Sequence, residues 1–184
     1  MSQAARIQRA GCTSRQGLTL FDDSRRVGSL AAIGCLALAL GLLVYLTERD
    51  IAGSALIPSV AALAGFQLFG ALGPWLPSFV HPFAFSLFTA AALSPGSAWR
   101  YHACVFWCVV NLAFECGQYP LISAPLAKVL QGSFGPSSTA RMVSNYFLRG
   151  TFDGGDIAAA VLGAVAAAVV LRLLQPVSES DHAS

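Results

Sequence analysis

The residues best equipped for chemistry lie on three short stretches. Asn111, Glu115 and Gln118 stand at i, i+4 and i+7 within "YHACVFWCVVNLAFECGQY". On a helix that spacing puts all three on one face, and Cys104 and Cys108 continue the same stripe. Glu115 is an acid well inside an apolar run. A charge at mid-membrane costs about 2.5–3.5 kcal/mol, so a carboxyl there needs a partner or a proton. His81 opens another apolar run, and Asp153 and Asp156 open the last one, just after Arg149 and Thr151 in "LRGTFDGGD". Antiparallel neighbours bring these ends to one membrane face. The resulting cluster of His81, Asn111, Glu115, Gln118, Arg149, Thr151, Asp153 and Asp156 could bind a lipid phosphate or polar headgroup, hold a divalent metal, or pass a proton.

Each residue also has a purely architectural reading. Asp153 followed by Asp156 is the pattern of a helix N-cap with an acid in the first turn. His81 fits an interfacial histidine with a backbone partner. Asn111 and Gln118 can tie helices together, and Glu115 can pair with Arg149 or His81. No nucleophile elbow, phosphate loop, HExxH or dinucleotide fingerprint occurs, so no residue is assigned as catalytic or as a metal ligand.

The elements that must position these residues follow from composition. The chain has 184 residues, 55% apolar and only 11% charged, with a net charge of +2. Soluble domains carry about 25% charged residues, so this chain is too poor in charge to coat a soluble globule. A soluble enzyme, a disordered chain and a nucleic-acid binder all fit that composition poorly. The expected fold is all-α, a small polytopic transmembrane helix bundle. The five cysteines, Cys12, Cys35, Cys104, Cys108 and Cys116, show no CxxC pair and mostly sit in apolar runs, which argues against a disulfide framework.

Four spans are expected, at about residues 28–47, 78–94, 101–119 and 156–174. The first is uncharged and roughly 30 Å long as a helix. It carries Gly34, Ala37 and Gly41 on one face and reads as a retained anchor. Pro82 fits the first turn of the second span. Ala159, Gly163 and Ala167 form a small-residue packing stripe in the last. Residues 51–77 are apolar but broken by Pro58, Pro74 and Pro77, which suits an interfacial segment or a fifth span. Residues 120–155 read as a long loop, with amphipathic turns near Ala124–Gln131 and Ala140–Leu148. Residues 175–184 are a polar tail.

Residues 1–27 form a basic tail with Arg6, Arg9, Arg15, Arg25 and Arg26, partly offset by Asp22 and Asp23. The positive-inside bias places it in the cytoplasm. With four spans, residues 120–155 then lie outside; with five, Lys128, Arg141 and Arg149 become cytoplasmic. Trp99, Arg100 and Tyr101, with His102 beside them, look like an interfacial belt.

The order of these pieces resembles the VanZ-like family of bacterial membrane proteins. The resemblance rests on "HPFAF" at His81–Phe85, "NLAFECGQ" at Asn111–Gln118 and "RGTFDGGDIAAAVLGAVAA" at Arg149–Ala167. It covers roughly residues 78–174. Glu115, Gln118, Thr151, Asp153, Asp156 and Gly163 stand at the family's matching places. Two departures stand out. The connection from Gln118 to Thr151 is much longer than usual, and alanines (Ala159, Ala160) replace an asparagine common in the last helix. The resemblance implies a multi-pass protein of the bacterial cytoplasmic (inner) membrane. It also implies a loose association with glycopeptide (teicoplanin) resistance.

Two functional readings follow. The first is a non-enzymatic envelope protein whose polar cluster binds a lipid headgroup, a lipid-linked cell-wall intermediate or another envelope protein, with no cofactor. The alternative is a membrane-embedded enzyme acting on a lipid phosphate or glycolipid. There Glu115 or His81 would act as acid or base, Asp153 and Asp156 would hold a divalent metal, and Arg149 would contact phosphate.

Overall fold

A computed structural model describes residues 3–48, 68–93, 99–135 and 137–174, with side chains of the first helix from residue 23 to residue 47. Every regular element among them is helical. They are α1 (Gln3–Glu48), a 3₁₀ helix (Gly70–Trp75), α2 (Leu76–Ala92), α3 (Trp99–Gly117), α4 (Pro120–Phe134), α5 (Ser138–Arg149) and α6 (Gly154–Leu173). The chain is therefore an all-helical bundle. Most of the broken apolar stretch 51–77 and the tail 175–184 lie outside the described residues, as does the side chain of Cys12.

α2 is the central helix and packs against α1, α3 and α6, while α3 also packs on α6. Small residues allow the close approaches. A Cβ at Gly163 would collide with the carbonyl oxygen of Phe79 and press on Pro82, so α6 lies directly on the α2 backbone. Ala159 and Ala167, on the same stripe, are buried. On the other side of α2, Gly34 faces the Phe88 ring and Gly41 faces Val80. Leu30, Leu87, Ala90, Cys104, Ala167 and Leu171 close the core at one end of the bundle.

Several boundaries differ from the sequence expectation. α1 starts at Gln3, so the basic stretch 1–27 largely continues the helix of the first apolar run rather than forming a separate tail. Nothing between Gln3 and Glu48 breaks a helix, since no proline occurs there. α2 begins two residues before Ser78, with Pro77 in its first turn; Pro82 lies in the helix interior instead. The side chain expected at a membrane belt, Arg100, is buried, and its Nε donates to the Ala90 carbonyl at the end of α2 (3.2 Å). The guanidinium there meets one carbonyl that the helix end leaves open.

The largest correction concerns residues 120–155, expected as a loop. They hold two antiparallel helices. α4 starts on Pro120, which suits a first helical position. α5 is capped by Ser137, whose Oγ accepts from the Ala140 N–H at 3.1 Å. Ala140, Ser144 and Phe147 bury one face of α5, with Ser144 Oγ donating to the Ala127 carbonyl of α4 at 3.5 Å. The chain bends by 97° between α3 and α4. Prolines masked the hairpin in the sequence: Pro120 suits a first helical position as well as a loop, and Pro125 lies inside α4, where a proline is not expected.

Asp23–Thr47 of α1 and all of α6 are long and apolar enough to cross a bilayer; α3 and α4 qualify only together, as one bent pair. By length and composition the described residues thus hold two such spans, or three with the bent pair, where four were expected. α2, at 17 residues, is the shortest of the core helices.

Candidate functional site

The direction of the helices decides what meets at the other end. Leu30, Leu87, Cys104 and Leu171 share the apolar core, so α1 and α3 run away from it and α2 and α6 run toward it. The ends of α1 and α3 and the starts of α2 and α6 therefore converge. They do so around a cavity of about 690 Å³, roofed on one side by α5.

Of the eight residues in the expected cluster, seven line this cavity: His81, Asn111, Glu115, Gln118, Arg149, Thr151 and Asp156. The eighth, Asp153, sits beside it and ties the others together. Its backbone N–H donates to Glu115 Oε1 at 2.6 Å. Its own carboxylate caps α6, with Oδ1 accepting from the Gly155 N–H at 2.8 Å. Oδ2 accepts from Trp75 Nε1 at 3.0 Å. The capping interaction anticipated in the sequence is thus present, and the same residue joins α3, α6 and the 3₁₀ helix. Both donors favour the ionised form, so the Asp153 carboxyl is held below the usual aspartate value. Gly155 makes room for this arrangement, since a Cβ there would run into the Trp75 ring.

Asp156 points the other way, to α2. Its Oδ1 accepts from Ser78 Oγ at 2.6 Å. Gln118 Nε2 donates to the Tyr146 hydroxyl of α5 at 2.9 Å. Asn111 Nδ2 donates to the Trp107 carbonyl in its own helix at 2.8 Å, which leaves its amide oxygen for the cavity. The His81 ring stacks along Phe85 (6.1 Å between centroids), and Phe85 stacks on Trp107.

Arg149 is placed differently from the pairing considered for it. It lines the cavity, and among the described residues it has no carboxylate partner. Glu115 engages the backbone of Asp153 instead. The stripe on α3 also changes character along its length. Cys104 is buried in the apolar core, whereas Asn111, Glu115 and Gln118 open onto the cavity.

Sequence reasoning missed Tyr45, Trp75, Ser78, Asn145 and Tyr146. Tyr45 and Ser78 lie at the cavity ends of α1 and α2, so antiparallel packing alone points to them. Asn145 and Tyr146 fall in a stretch expected only as an amphipathic turn within a loop, which gives neither a reason to face the cavity.

Among the described residues, no group of three His, Cys, Asp or Glu side chains is placed to hold a metal ion. Both carboxylate oxygens of Asp153 are engaged by N–H donors, and one of Asp156 takes the Ser78 hydroxyl. That geometry serves helix capping and cross-linking of elements. No family model matches the chain, and neither a curated protein nor a solved structure matches it.

Proposed function

We propose that the chain is a VanZ-like, multi-pass protein of the bacterial inner membrane. In this reading α1, α2, α3 and α6 cross the bilayer, and the N-terminus is cytoplasmic. The cavity binds the headgroup of a lipid or of a lipid-linked cell-wall intermediate. The observation that carries this is the convergence of His81, Asn111, Glu115, Gln118, Arg149, Thr151 and Asp156 on one cavity at one end of an otherwise apolar bundle. A stable bundle alone has no need of such an end, because polar groups near hydrocarbon are costly unless they serve a partner.

The 97° bend between α3 and α4 supports a position at the membrane surface. With α3 along the bilayer normal, the α4–α5 hairpin lies in the interface plane. There its exposed Leu121, Ile122, Val129 and Met142 meet acyl chains. The hairpin then covers the cavity at headgroup depth.

A photoreactive benzophenone side chain at Asn145 tests this in intact membranes. Light should yield an adduct with a phospholipid or lipid-linked glycan headgroup, identified by mass spectrometry. Adducts only with acyl chains, indistinguishable from those at lipid-facing Val105, would refute the binding site. Sidedness is read from a single cysteine at exposed Thr139 in an otherwise cysteine-free chain (Ser137 is the cap of α5 and should be left intact). Labelling by an impermeant thiol reagent before the inner membrane is opened is expected with four spans. Protection until then would place the cavity on the cytoplasmic side.

A further inference from the structure

Charge is distributed within the cavity in a way that narrows the headgroup class. The positive centre, Arg149, and the negative centres, Glu115 and Asp156, line the same space. No ion pair joins them among the described residues: Glu115 holds the Asp153 N–H, Asp156 holds the Ser78 hydroxyl, and Arg149 has no carboxylate within ion-pair distance. A purely anionic headgroup would satisfy Arg149 and face two carboxylates. A purely cationic one would do the reverse. A ligand with both charges satisfies each centre.

The kind of cation follows from what surrounds it. A quaternary ammonium has no N–H and is recognised by open aromatic faces. The cavity rings are Tyr45, His81, Phe114 and Tyr146, and each already has a partner. Phe114 stacks on Phe147 (5.8 Å), and Tyr146 meets both rings edge-on. Carboxylates are hydrogen-bond acceptors and suit a primary ammonium with its three N–H donors. The arginine fork suits phosphate. Resting on the headgroup reading above, we infer that the cavity takes a phosphate and a primary ammonium carried on one small group, the chemistry of an ethanolamine phospholipid or of free phosphoethanolamine.

The test uses the full chain in nanodiscs of phosphatidylglycerol. Phosphatidylethanolamine and phosphatidylcholine are added at equal trace levels, and retained lipid is read by native mass spectrometry. Phosphatidylethanolamine should be enriched over phosphatidylcholine by about tenfold, the ratio that one charge-assisted hydrogen bond supplies. Glu115→Gln keeps an oxygen for the Asp153 N–H and removes only the charge, so it should abolish that preference. Arg149→Gln should lose retention of both lipids, Arg149→Lys should restore part of it, and lipid-facing Val169→Ala should behave as the native chain.

Equal retention of all three phospholipids that is still lost in Arg149→Gln would overturn the ammonium assignment while leaving a headgroup site in place. Retention indifferent to Arg149 would overturn both. Free phosphoethanolamine that displaces the bound lipid would show that the headgroup alone is recognised. Failure to displace it, with the lipid preference intact, would identify the lipid as the only source.

Discussion

The two ends of the bundle are built from the same four helices and could hardly differ more. At one end Leu30, Leu87, Ala90, Cys104, Ala167 and Leu171 close on each other, with Leu87, Ala90 and Ala167 fully buried. The long polar side chain there, Arg100, is folded back onto the Ala90 carbonyl. At the other end the helices stay apart around about 690 Å³, and the space is lined by amides, hydroxyls, carboxylates, a histidine and an arginine. Packing to interior density is the default for apolar helices. On the binding reading proposed above, the open end is the part of the bundle not built for packing alone. A single helix face shows the change, since the α3 stripe passes from Cys104 in the core to Glu115 and Gln118 in the cavity.

Substitutions can break that contrast or sharpen it. The largest loss is expected from Leu87→Ala in the closed end, where a fully buried side chain leaves a cavity. About 2–5 kcal/mol should be lost, read as a lowered Tm in detergent, with lipid retention normalised to folded protein unchanged. Gly163→Leu comes next. Its side chain meets the Phe79 backbone, which cannot swing aside, so about 1–3 kcal/mol or more is expected, with poorer yield of folded protein. Gly163→Ser introduces a smaller side chain and should be better tolerated than Gly163→Leu, as compared by the same thermal melt.

Asp153→Ala should lower Tm by less than either Leu87→Ala or Gly163→Leu, because it removes the cap of α6 and the link to Trp75 without opening the core. Its effect depends on pH. The Asp153 carboxyl is held low in the folded chain, so its contribution is complete above the ordinary aspartate pKa. It disappears as pH falls through the lower folded value. The Tm gap between the native chain and Asp153→Ala should therefore close on acidification through that window, while the gap for Leu87→Ala stays. Glu115→Gln should have the smallest effect on Tm, since the amide oxygen still accepts the Asp153 N–H. A large fall in Tm would make Glu115 part of the scaffold and blur the distinction between the two ends.

Much of the open end and little of the closed one is legible in the sequence. Helical periodicity put Asn111, Glu115 and Gln118 on one face, and alternating helix direction was enough to bring His81, Asp153 and Asp156 toward them. Small residues at four-residue spacing marked the face of α6 that lies on α2. Other features depended on tertiary context. Arg100 beside aromatic residues looks interfacial until the end of α2 supplies a carbonyl for it. Pro120 and Pro125 read as loop residues, whereas Pro120 opens α4 and Pro125 is carried inside it. Amphipathic turns within a loop, in place of the full helices α4 and α5, give Asn145 and Tyr146 no reason to join the site. Arg149 and Glu115 invite an ion pair on charge alone, and only the Asp153 N–H explains why Glu115 is engaged elsewhere.

The claim that one end binds and the other only packs is tested most directly by lipid-induced stabilisation. A ligand that binds the folded chain raises Tm by mass action, whatever the starting stability. Phosphatidylethanolamine added to the detergent-solubilised protein should raise the Tm of the native chain and of Leu87→Ala alike, and leave Arg149→Gln unmoved. An equal rise in Arg149→Gln would contradict the account, because the lipid would then stabilise the bundle without using the cavity.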